Sequence, residues 1–235
     1  PVPAASLGAV ARGRERRLVR AGDRQVDWAC DPTQAVLRKI HSAHGTPGVR
    51  DVLGDKAVRL FGAHDGTGDA TLVAAGRKDC VPSSTPGSVI GKRDGAILRA
   101  TVDGAVWITH LEEIADGSER PLKLPAAQVL GGRLAGVKDL PVALDAPAAP
   151  GTWREIRYEE AGDVGILHFA FHNGAMSTAQ CGRLLAALRH AKARPTKLLL
   201  LAGGEDFWSN GIHLAAIEAT GRPADASWEN INAID

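Results

Sequence analysis

Two strand-like runs that meet at an Asp-Gly pair constrain this chain more than any other feature. Residues 96–102 read Ala-Ile-Leu-Arg-Ala-Thr-Val, then come Asp103 and Gly104, and residues 105–111 return as Ala-Val-Trp-Ile-Thr-His-Leu. Asp-Gly between such runs signals a hairpin, because both central residues of its turn sit at positive φ. Further short strands at 58–61 and 88–90, punctuated by Gly and Pro, predict a small OB-like β-barrel over residues 25–131. Ahead of them Asp31-Pro32-Thr33 opens a helix, with Asp31 as N-cap, Pro32 at the first position and Val36, Leu37 and Ile40 as the apolar stripe.

Residues 1–24 are rich in Arg, Ala and Gly and read as a linker arriving from something upstream. Residues 132–152 carry Pro141, Pro147 and Pro150 with no amphipathic period and read as a second linker. From Trp153 the pattern becomes βαβα. Residues 164–171 form an apolar strand, and Ser177 caps a helix with Leu184, Leu185 and Leu188 on its apolar face. Residues 197–201 form a second buried strand, 212–219 a short helix, and Ser227-Trp228-Glu229 starts another. This pattern predicts a parallel sheet covered on both faces, over residues 153–235. The chain starts at Pro1 and stops at Asp235 inside an apparent helix, so both ends are expected to be cuts in a longer protein. The fold class expected is therefore α+β and multidomain.

Composition removes several function classes. Lys and Arg number 28 and Asp and Glu 27, so no global field favours nucleic acid or an anionic membrane. No uninterrupted apolar run exceeds five residues, as at Leu198–Ala202, which is far short of a membrane span. The first residues lack the layout of a signal peptide. Cys30, Cys80 and Cys181 are odd in number and far apart, which fits neither a disulfide framework nor a zinc site; a reducing cytoplasm is the simplest expectation.

Two turns could carry chemistry. Phe207-Trp208-Ser209-Asn210-Gly211-Ile212-His213-Leu214 follows a strand and feeds a helix, where unpaired N–H groups and the helix dipole can receive a developing oxyanion. Gly211 lets a ligand approach the backbone. An ordinary strand-to-helix turn is the alternative. His213 could act as an acid or base, or simply bond locally. The second turn, Phe171-His172-Asn173-Gly174-Ala175-Met176-Ser177, offers an Asn amide that both donates and accepts, or only a turn and a helix cap. Arg14, Arg16, Arg17, Arg20 and Arg24 approach the barrel and Arg38 and Lys39 sit on its first helix. Arg24 and Arg38 are the candidates there for a phosphate-bearing ligand.

Residues 164–235 resemble the start of a crotonase-fold domain of the enoyl-CoA hydratase/isomerase superfamily, whose Phe-Ser/Ala-Ala-Gly-x-Asp-Leu motif matches residues 207–214. His213 stands where that motif has Asp. The resemblance implies that Ile212, following Gly211, gives one oxyanion N–H, and that the Asn173 turn contacts coenzyme A together with Ser209 and Asn210. Residues 25–130 resemble the C-terminal barrel of methionyl-tRNA formyltransferases and other 10-formyltetrahydrofolate enzymes, through Val26-Asp27-Trp28, Ile40, Pro86-Gly87-Ser88-Val89-Ile90 and Asp103-Gly104. The two in succession resemble the HoxX family of hydrogenase maturation factors, with a truncated crotonase-like domain at 153–235. That resemblance implies formyl transfer from 10-formyltetrahydrofolate to coenzyme A and breakdown of formyl-CoA to carbon monoxide for the iron of a nickel–iron hydrogenase. Folate would be held by a preceding domain, no metal by this chain, and the partners would be the hydrogenase maturation machinery or large subunit. Two other readings stay open: an acyl-CoA hydratase or hydrolase with an unrelated extension, and a tRNA-binding barrel, which the near-neutral charge disfavours.

Overall fold

The computed structural model describes residues 16–69, 85–114 and 121–235. Arg14 and Cys80 lie outside the described residues. The first module opens with two helices, α1 (Ala21–Arg24) and α2 (Thr33–His41). The predicted cap of α2 is displaced by one residue, since Pro32 is the N-cap and has no capping side chain. Asp31 instead accepts from the Asp27 amide at 2.7 Å and from Lys39 at 2.6 Å. The Thr33 amide donates to Asp103 Oδ1 at 2.7 Å, so the oxygen that satisfies the helix start comes from a distant loop.

The strands are β1 (Val49–Leu53), β2 (Lys56–Asp65), β3 (Val89–Arg93), β4 (Ala96–Ala100), β5 (Ala105–Glu113) and β6 (Lys123–Pro125), followed by α3 (Ala126–Leu130). Their order is β1-β2-β5-β4-β3, with β6 continuing along β5 beyond β4. Among the described residues no ladder joins β1 to β3, although Arg99 of β4 pairs with Asp51 of β1. The expected hairpin pairs β4 with β5. Its turn differs from the sequence reading: neither Asp103 nor Gly104 has positive φ, and Thr101 N–H closes a wider loop onto Gly104 O at 2.9 Å. The turn with two positive-φ residues is Asp94-Gly95, between β3 and β4, at φ 48° and 85°. The Asp103 carboxylate accepts from both the amide and the hydroxyl of Thr33.

β4 and β5 are buried on both faces. Ile97, Val106 and Ile108 pack with Val36 and Ile40 of α2 and Leu130 of α3. Leu98 and Trp107 point the other way and pack on Trp153. Each such fully buried side chain contributes about 1.5–3 kcal/mol over leaving it exposed.

The second module contains β7 (Ile156–Ala161), β8 (Val164–Phe169), α4 (Thr178–Lys192), β9 (Leu198–Ala202), α5 (Leu214–Glu218) and α6 (Pro223–Ile234). β8 and β9 are parallel across α4, as the βαβ reading expects. β7, which that reading omits, pairs antiparallel with β8. Within this chain β9 is the edge of the sheet, with Leu198, Leu200 and Leu201 60%, 51% and 37% exposed. α6 begins at Pro223, earlier than expected, with its proline in the first turn. Ser177 does cap α4, in a capping box with Gln180. Ser177→Ala is expected to cost about 1 kcal/mol in a urea melt, and Ser177→Gly only a few tenths; equal losses would mean the hydroxyl is not what holds the helix start.

The segment between the modules is clasped to the sheet by one carboxylate. Asp69 is fully buried and accepts two bonds from Arg93, at 2.8 and 2.9 Å. It also accepts from Trp107 Nε1 at 2.8 Å and the Trp153 amide at 3.2 Å. Arg93 donates onward to the Leu140 and Trp153 carbonyls. Polar groups buried this deeply are stable because each one is paired.

Candidate functional site

The two turns that the sequence offers separately form one structure. His172–Gly174 is a tight 3-10 turn with Asn173 at φ 54° and Gly174 at φ 67°. Gly174 O accepts from the Asn210 amide at 2.7 Å, Gly211 O from Met176 at 2.9 Å, and Met176 O from His213 at 3.1 Å. A Cβ on Gly174 would lie 2.6 Å from Phe207 Cβ, so glycine is needed for the loop to dock. Gly211 sits at φ 76°, and a Cβ there would meet nothing within 4 Å, so the backbone is open to an incoming group. The Ile212 N–H has no acceptor among the described residues.

Beside this turn lies a cavity of about 560 Å³ at the junction of the modules. The first module contributes His44 from the loop after α2 and Gly62, His64 and His110 from the sheet; the second module contributes Glu155, His172, Asn173 and Phe207. Gly62 is at φ 63°, and the absence of a side chain there admits Thr109 and brings the His172 ring close. His110 and His172 stack with ring centroids 4.2 Å apart, His44 meets His172 edge-on at 5.3 Å, and His213 lies 6.0 Å from His110.

Burial pushes these rings toward the neutral form. It takes His172 down to about 3, with Lys123 and His44 adding to the effect. It takes His64 to about 4 and His110 well below the usual imidazole range. Glu155 is held above the usual carboxyl range, because its burial outweighs the bonds from Gln180 and Arg183.

The predicted site residues divide into three groups. Asn173 lines the cavity, and Ser209, Asn210, Gly211 and Ile212 form the loop docked beside it. His213 is the N-cap of α5: its Nδ1 accepts from Ala216 at 3.1 Å, which leaves only Nε2 for other contacts. Arg24 and Arg38 do not line the cavity; Arg24 donates to the Val19 carbonyl at 3.1 Å and Arg38 is exposed on α2. The histidine cluster was not foreseen. Its members come from five unrelated places in the chain, and no spacing in the sequence joins them.

Residues 19–119 match the family described as formyl transferase, C-terminal domain. The chain is 50% identical to hydrogenase maturation factor HoxX of Bradyrhizobium diazoefficiens over 224 residues, which is 95% of this chain and 35% of that protein. The chain is thus similar to HoxX over nearly its whole length, and its residues 19–119 to the formyl transferase C-terminal domain. A crystal structure of HypX from Aquifex aeolicus in complex with tetrahydrofolic acid matches at TM-score 0.80 and 43% identity, over 92% of this chain and 35% of that one. A multiply substituted variant of the same HypX matches at TM-score 0.80 and 42% identity, over 92% and 37%. The chain thus spans about a third of the relatives it matches. No described helix is long and apolar enough to cross a membrane.

Proposed function

We propose that this chain serves hydrogenase maturation as the middle of an enzyme that moves a formyl group from 10-formyltetrahydrofolate to coenzyme A and breaks formyl-CoA down to carbon monoxide for the active-site iron. The observation that carries this reading is the cavity built jointly by the formyl transferase C-terminal domain and the second module, beside a turn with an open N–H. The named complex of HypX with tetrahydrofolic acid supports the folate half. The second module is the start of a crotonase-like domain in this reading, and the protein works in the cytoplasm.

In this reading the pantetheine arm lies in the cavity, which shields a reactive thioester from water. Asn173, Ser209 and Asn210 contact the arm. The Ile212 N–H faces the thioester oxygen as its charge develops; the Gly211 N–H, which donates to Ser209 Oγ at 3.4 Å, would have to leave that hydroxyl to join it, and His213 sits beside them with its Nδ1 engaged by Ala216. The neutral imidazole wall has no charge to hold phosphates, so those lie outside it, at Arg24 and Arg38.

Calorimetry of coenzyme A on the full-length protein tests the reading. Asn173→Ala is expected to weaken binding about three- to tenfold, the worth of one neutral hydrogen bond. Arg24→Ala and Arg38→Ala should weaken coenzyme A but leave free pantetheine unaffected. Absence of coenzyme A binding would remove the thioester argument.

A further inference from the structure

The histidines at the junction do more than line a cavity. His110, on β5, lies between His172 and His213 of the second module, and His44 closes the group from the loop after α2. Nε2 of His110, Nε2 of His172 and Nδ1 of His44 are buried with no hydrogen-bond partner among the described residues. His110 Nδ1 does meet Thr109 Oγ1 at 2.9 Å, but an imidazolium must donate from both nitrogens, so a ring with one buried nitrogen unpartnered is stable there only while uncharged. The charges that face the central pair offer no compensation. Lys123 approaches from β6 above Phe61, His64 from β2, and His44 and His213 from either end. Glu205 and Asp206 line the same cavity, but among the described residues neither forms an ion pair with the central rings and Asp206 acts on His44; Glu155 is engaged by Arg183 and Gln180. His41 is held by the Ala63 carbonyl at 2.7 Å.

We propose that the two modules are held together through a stack of neutral imidazoles, and that protonation of His110 and His172 opens the junction and its cavity at mildly acidic pH. Two imidazolium rings 4.2 Å apart repel, and each needs water that the closed junction excludes. Burial lowers both rings in the closed form, so the open form takes up protons first. Closure is therefore fully favoured above about pH 6.5, the free imidazole value. It is lost as pH falls below that toward the low values of the closed form. Over this window each ring multiplies the opening constant about tenfold per pH unit, and the pair about a hundredfold. The proposal does not depend on coenzyme A.

Small-angle X-ray scattering of the full-length protein between pH 7.5 and 5 reads the opening directly. The radius of gyration is expected to rise reversibly below pH 6.5, with a slope that reports uptake of nearly two protons. His172→Phe keeps a stacked ring that cannot titrate and should reduce the uptake by about one proton. A wild-type radius that stays constant down to pH 5 overturns the proposal, and this needs no variant to fold. An undiminished slope in His172→Phe overturns it as well.

Discussion

Asp69→Ala is expected to lower the unfolding free energy by about 3–5 kcal/mol, the loss typical of removing one partner from a buried ion pair. The side chains of Arg93 and Asp69 are almost completely inaccessible, so the substitution leaves a guanidinium buried without its counter-charge. It also strips an acceptor from Trp107 Nε1 and from the Trp153 amide. The Leu140 and Trp153 carbonyls still accept from Arg93, which places the loss within that range rather than above it. Asp69→Asn keeps an acceptor oxygen and should lose less. Replacing Asp69 and Arg93 together by apolar residues of similar volume should recover much of the stability, because desolvation then no longer has to be offset. Urea melts followed by Trp fluorescence measure all three. A loss below 1 kcal/mol in Asp69→Ala would mean that water reaches the pair.

What could be read from the sequence followed from local chemistry. The β4–β5 hairpin was legible from two strand-like runs meeting at Asp103-Gly104, which do pair although by a different turn, and the Ser177 cap from its place just ahead of the helical apolar stripe. The docking turn at 207–211 was legible as a candidate because glycine and the strand-to-helix change adjoin there. What was not legible depends on tertiary partners. Asp103 looks like a turn residue until Thr33 claims its carboxylate. Leu198–Ala202 is as apolar as a buried strand, yet nothing in five residues says which sheet position they occupy. The histidine stack draws on the loop after α2, on β5 and on two loops of the second module, so only the folded chain brings it together. Arg24 and Arg38 were singled out by charge clustering, and the fold leaves both off the cavity wall, so any ligand they hold lies outside it.

Gly62→Ala should produce the other large effect, and it links stability to the site. At φ 63° any L residue costs about 1–2 kcal/mol. Gly54 shares that conformation at φ 65° with open space around it, so Gly54→Ala measures the conformational part alone. At Gly62 the added methyl would also overlap Thr109 Oγ1, and overpacking of this kind adds about 1–3 kcal/mol. Gly62→Ala is therefore expected to lose about 2–5 kcal/mol, clearly more than Gly54→Ala. Thr109 Oγ1 lies 2.9 Å from His110 Nδ1, so displacing it also disturbs the imidazole stack. If the clash is the cause, Thr109→Ala should relieve it. The double variant would then be more stable than the sum of the single losses predicts, by about 1 kcal/mol or more. Strict additivity would place the cost in the backbone and leave the stack uninvolved.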